Sequence, residues 1–154
     1  MATKTEKTTK ATKKAAGDEA AAFVEKFIAA WADPKVEKLQ ELTHDDAVLV
    51  QPMMPRMVGR EAAREGFGRL LALFPGIHGE VLRWSAEGNE LMIEMRMTVP
   101  AGSRPLAWDL VDRIELEGGL VRERITYMDS LPIVLGVLTR PALWAAMARF
   151  YLPR

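Results

Sequence analysis

Cysteine is missing altogether from the 154 residues, which excludes disulfides and thiolate chemistry and suits a reducing, cytoplasmic setting. No apolar run reaches the roughly 18 residues that a membrane-spanning helix needs, and no apolar secretory segment stands at the start. Histidine occurs only twice, and His44-Asp45-Asp46 has no ligand spacing, so no metal site is expected. Charge of one sign is also lacking. Lysine plus arginine and aspartate plus glutamate each number 21, so no overall field draws the chain to nucleic acid. The patterns G-x-G-x-x-G, G-x-S-x-G and H-E-x-x-H and the P-loop are absent, so no cofactor and no serine nucleophile is expected.

What is present is unevenly spread. Residues 1–16 hold five lysines against one glutamate, leaving the rest of this neutral chain at −4 by difference. That segment has no large apolar residue after Met1, so residues 1–17 are expected to form a disordered basic tail. An organelle transit peptide is the other reading, but arginine and an apolar helical face are lacking. The remaining length fits one domain with a real core. Residues 18–130 are read as that domain, and 131–154 as a C-terminal helical extension packed on it.

Periodicity divides the domain in two. Asp18 suits an N-cap for a helix with the apolar stripe Ala20, Phe23, Val24, Phe27, Ile28 and Trp31, which ends at Asp33-Pro34. A short helix carrying Val36, Leu39 and Leu42 leads through Thr43-His44-Asp45-Asp46 into a strand, Ala47 to Gln51. After Gly59 comes a third helix with Ala63, Phe67, Leu70, Leu71 and Phe74 inward. From Ile77 the period becomes two. Strands are predicted over 77–86, 91–99, 106–117 and 120–129, with short connections that make neighbours antiparallel. Leu131 to Leu138 and Leu143 to Leu152 read as short helices covering a sheet edge or a cavity mouth. A membrane-surface helix, suggested by arginines near Trp144, Phe150 and Tyr151, is the less expected alternative.

One residue breaks the pattern. Alternation sets Asp112 on the same strand face as Trp108, Leu110, Ile114 and Leu116, and an isolated ionised carboxylate in apolar surroundings is too costly to keep. It must be protonated, paired or open to a cavity. A two-residue Gly118-Gly119 turn predicts the pairs Glu115–Arg122, Asp112–Ile125, Leu110–Tyr127 and Trp108–Asp129. That register turns Val121, Ile125 and Tyr127 inward and Arg122, Arg124 and Thr126 outward.

The motifs HDDAVLVQP at 44–52, GREAAREGF at 59–67 and VDRIELEGGLVRERITYMD at 111–129, in this order, resemble the SnoaL-like branch of the nuclear transport factor 2-like superfamily. That branch includes polyketide cyclases, ketosteroid isomerases and limonene epoxide hydrolase. The resemblance implies an α+β fold, a curved, antiparallel-rich sheet wrapped around helices to form a cone with an internal pocket. It also implies a small apolar ligand and a homodimer formed through the outer sheet face. Against the isomerases, Gln51 stands at the position of the general base and Phe27 at that of the tyrosine donor. Asp112 alone matches, at the position of the protonated acid that serves the oxyanion. Against the epoxide hydrolases, Met92, Glu94 and Thr126 fall on the site positions, without a clear Arg-Asp pair.

Asp112 is therefore the candidate catalytic acid. Tyr127, Gln51, His78, Trp108, Phe27, Trp31 and Met53 are the candidates for substrate contact. Ordinary alternatives stand beside most of them: a structurally satisfied acid for Asp112, a half-buried aromatic for Tyr127, core packing for Trp108 and Trp31, gap-filling for Met53, and a satisfied or exposed histidine for His78. Asp129 is expected to cap a turn before Pro132. The function implied is cofactor-free isomerisation, cyclisation or hydration of an apolar oxygenated metabolite such as a polyketide, steroid or terpenoid. The alternative is a non-catalytic ligand-binding or assembly module.

Overall fold

A computed structural model describes residues 4–152. Its elements run α1 (Lys4–Ala32), α2 (Val36–Glu41), β1 (Thr43–Val50), β2 (Met57–Val58), α3 (Arg60–Leu73), β3 (His78–Glu87), β4 (Glu90–Val99), β5 (Leu106–Glu117), β6 (Leu120–Met128), α4 (Leu131–Leu138) and α5 (Pro141–Tyr151). The fold is α+β. One open, mixed sheet of six strands has the order β2-β1-β6-β5-β4-β3, in which only β1 and β6 pair in parallel. No single helix among the described residues is long and apolar enough to cross a membrane.

The helices sit on the sheet because each has one apolar stripe to bury. Ala20, Phe23, Val24, Phe27, Ala30 and Trp31 of α1 recur at three- and four-residue spacing and are all buried. Ile28, expected in that stripe, is largely exposed. The rings form a continuous aromatic row, Phe23 to Phe27 at 5.8 Å, Phe27 to Trp31 at 6.3 Å and Trp31 edge-on to Phe67 of α3 at 6.5 Å. Each such ring contributes roughly 1.5–3 kcal/mol by burial. α1 lies against β3, where Gly79 has no side chain to keep it away. A Cβ at Gly79 would fall 3.3 Å from the Cβ of Trp31.

Several boundaries differ from the sequence expectation. α1 runs back through Asp18 to Lys4, so Asp18 does not begin the helix and much of the expected disordered tail has helical backbone; residues 1–3 lie outside the described residues, as do 153–154 of the C-terminal extension. The alanines and lysines of that segment favour helix. β1 begins at Thr43 rather than Ala47, because Thr43 is pinned at both ends. Its hydroxyl donates to the Leu39 carbonyl at 2.9 Å, and Arg60 Nε donates to the Thr43 carbonyl at 2.8 Å. β2, in a segment expected to be loop, is held where Gly59 N donates to the Ala47 carbonyl at 2.8 Å.

The decisive difference is in the last hairpin. Gly118 and Gly119 both adopt positive φ, 58° and 73°, as a tight two-residue turn requires. The expected register holds for Glu117–Leu120 and Leu116–Val121 and then slips, pairing Glu115 with Glu123, Asp112 with Thr126 and Leu110 with Met128. Arg122 is the extra residue of a β-bulge. It is fastened there by donating to the Asp46 carbonyl and by an ion pair with Glu117. A slip of one residue exchanges the two faces of a strand. Thr126 and Arg124 are therefore inside, while Ile125 and Tyr127 are on the outer side.

Candidate functional site

Between the inner sheet face and the helices lies a cavity of about 70 Å³. Its wall is mostly apolar, with Trp31 from α1, Phe74 following α3, Met95 and Met97 from β4, and Trp108 and Leu110 from β5. The polar residues are few and cluster on neighbouring strands: Asp112 on β5, Thr126 and Arg124 on β6, and Gln51 just after β1. Alternation along β5 and β6 accounts for the first three, since inward residues two apart share one face. Parallel pairing of Leu49 with Arg124 and of Val50 with Ile125 carries the end of β1 alongside β6 and delivers Gln51.

Asp112 is 2% exposed. Thr126 Oγ1 donates to its Oδ1, and its second carboxyl oxygen has no hydrogen-bond partner among the described residues. Burial pushes the Asp112 carboxyl above its ordinary value, while the Arg124 guanidinium and the Thr126 hydroxyl pull the other way. Arg124 Nη2 donates to Gln51 Oε1 at 2.8 Å, and the guanidinium lies 5.5 Å from the Phe67 ring centre. Gln51 Nε2 in turn faces Met54 Sδ. Three buried N–H donors, Trp31 Nε1, Trp108 Nε1 and Arg124 Nε, have no acceptor among the described residues, and all three belong to cavity-lining residues.

The rim is formed by Met53 and Met54 together with Ile133 of α4 and Met147 and Tyr151 of α5. Met53 has φ of 67°, a strained value for a residue with a side chain. Its carbonyl accepts the Tyr151 hydroxyl at 3.2 Å, tying the C-terminal helix to the loop after β1. Asp129 acts as expected, its Oδ1 accepting the Leu131 N–H at 2.9 Å at the start of α4.

Of the residues singled out by sequence, Asp112, Gln51, Trp31, Trp108 and Met53 come together around this cavity. Three do not. Tyr127 is 54% exposed on the outer face, moved there by the bulge. His78 is exposed with Nδ1 3.2 Å from the Gly76 carbonyl, because Gly79 takes the inward position at that end of β3. Phe27 is core, packed between Phe23 and Trp31 and away from the cavity. Arg124 is the residue sequence reasoning missed, and Thr126, matched to an epoxide hydrolase site position by resemblance, was expected to face outward. The signal for their inward position was the need of Asp112 for a polar neighbour, since nothing in the RERIT string marks a bulge. Among the described residues no three His, Asp or Glu side chains converge as metal ligands.

A family model described as SnoaL-like domain matches residues 24–124. No curated protein matches the chain by sequence. Among solved structures, a protein of ketosteroid isomerase-like fold from Catenulispora acidiphila, in complex with trimethylamine, has 23% identity and a TM-score of 0.67, covering 79% of this chain and 95% of its own. A protein assigned as a SnoaL-like polyketide cyclase from Jannaschia sp. CCS1 has 18% identity and a TM-score of 0.69, covering 80% and 94%. An epoxide hydrolase of M. tuberculosis has 18% identity and a TM-score of 0.66, covering 84% and 97%. At these identities the likeness is one of fold.

Proposed function

The chain belongs to the SnoaL-like domain family, and on that premise we propose that it takes a small, largely apolar, oxygen-bearing molecule into the central cavity and acts on it through Asp112 without a cofactor. The observation that carries this reading is a fully buried carboxyl on the wall of an apolar cavity, with one oxygen held by Thr126 and the other without a partner among the described residues. Desolvation favours its protonated form, which can donate to a carbonyl or ether oxygen of the ligand. As the proton leaves, the resulting carboxylate is stabilised by the Thr126 hydroxyl and the field of Arg124. Gln51 supplies no base, so the chemistry is that of one acid: ring closure, hydration or opening of a strained ether, in line with cyclase and epoxide hydrolase relatives of the fold. The apolar lining matches the chemistry of a polyketide, steroid or terpenoid, and a molecule of that size needs the cavity of about 70 Å³ to widen.

A homodimer through the outer sheet face belongs to the same proposal. Val58, Val48, Val50, Ile125, Tyr127 and Val111 form an apolar strip there, flanked by the Arg113 pairs to Glu90 and Glu123. Apolar centre and charges of both signs make a patch that can meet its own copy about a two-fold axis.

The test is mass spectrometry of small molecules released from the purified protein, followed by assay of the identified compound with wild type and Asp112→Asn. An apolar oxygenated ligand is expected, and a variant that folds and binds it but turns it over at least about 100-fold more slowly. Turnover unaffected by Asp112→Asn removes the catalytic role. Binding without turnover by wild type leaves a ligand-binding module.

A further inference from the structure

Resting on the cavity reading above, we infer that the ligand carries an acidic oxygen group, ionised at neutral pH, which Arg124 holds with Trp31 and Trp108 as supporting donors. Arg124 is 5% exposed. A guanidinium cannot shed its charge by deprotonation, so burial leaves a full cation inside the protein. What the fold offers it is neutral: the Gln51 amide oxygen at 2.8 Å and the face of Phe67. The ion pairs formed among the described residues, such as Arg96–Asp109 and Arg113–Glu123 on the outer face, do not include Arg124. A buried cation with no partnering anion is a costly arrangement unless something completes it.

Asp112, the acid of the cavity wall, does not complete it. Asp112 is bonded to Thr126 rather than to Arg124, and its burial favours the neutral form. The tally of hydrogen-bonding groups points the same way. Arg124 Nε, Trp31 Nε1 and Trp108 Nε1 are buried donors without acceptors among the described residues, whereas such groups are nearly always satisfied in folded proteins. All three belong to residues that line the cavity, where Asp112 is the acid. A guest rich in acceptors and bearing negative charge satisfies the orphan donors and the cation together, and a protonated Asp112 can add a further hydrogen bond to it.

Matched probes decide this on the intact protein: 2-naphthoate and its neutral analogue 2-naphthamide, titrated calorimetrically into wild type, Arg124→Gln and Arg124→Lys. Wild type is expected to bind the carboxylate at least about tenfold more tightly than the amide, the increment of one charge-assisted hydrogen bond. Arg124→Gln should abolish that preference and Arg124→Lys should keep part of it. The wild-type preference stands as a test even if Arg124→Gln fails to fold. Equal or better binding of the amide overturns the anionic ligand while leaving the apolar cavity in place, and a preference that survives in folded Arg124→Gln removes Arg124 as its source. Failure of both probes to bind overturns the cavity reading and this inference with it.

Discussion

Between Asp112 and Arg124 the fold sets an acid that burial drives toward neutrality near a cation that burial cannot discharge. The acid makes stability depend on pH in a definite direction. Folding raises the carboxyl above its ordinary value of 3.8, so near and above that pH the folded state holds a proton that the unfolded chain gives up. This contribution is fully present at lower pH and is lost as pH rises through the folded value. Asp112→Asn cannot titrate, so its stability relative to wild type should climb with pH from about 4, by at most about 1.4 kcal/mol per unit, and then level off. Urea unfolding of both proteins from pH 3 to 8 measures it, and parallel curves across that range would show that Asp112 is not shifted in this sense.

Two local features of the β5–β6 hairpin select the chemistry of the cavity. The Gly118-Gly119 turn brings the strands together, and the Arg122 bulge then moves every later β6 residue by one position. Without the bulge Asp112 faces Ile125; with it, the hydroxyl of Thr126. A carboxyl shut away from water gains far more from the second partner, which gives the slip a physical rationale. Gly119 has φ of 73° and open space beyond its backbone except for Glu19 Oε1 at 3.6 Å, so a side chain there is opposed by conformation rather than by contact. Gly119→Val should cost about 1–2 kcal/mol, read as a lower urea midpoint at unchanged slope. A loss under about 0.5 kcal/mol would mean that the turn tolerates a β-branched residue by changing type.

At the scale of the molecule, the inner sheet face is closed by helices and the outer face is not. Tyr127, displaced from the cavity by the bulge, becomes the most exposed member of the outer apolar strip after Val58. The proposed dimer gives that strip its cover. Tyr127→Lys combined with Ile125→Lys should shift wild-type dimer to monomer in sedimentation at the same concentration, with the far-ultraviolet circular dichroism preserved. Wild type that stays monomeric throughout the accessible range removes the dimer.

The sequence by itself determined the α+β class, the apolar stripes of the helices, the four long strands and the inward position of Asp112, because periodicity is written residue by residue and burial follows it. Trp31, Trp108, Gln51 and Met53 were legible around the cavity for the same reason, through their place on those elements. Tertiary structure alone decided the company that Asp112 keeps. Arg122 reaches the Asp46 carbonyl on a strand 76 residues away, and that contact between distant segments helps hold the bulge that turns Arg124 and Thr126 inward and Tyr127 outward. A strand's faces follow from its pattern, but which face meets a neighbour depends on register, and register here is supported by a long-range hydrogen bond that no local pattern encodes.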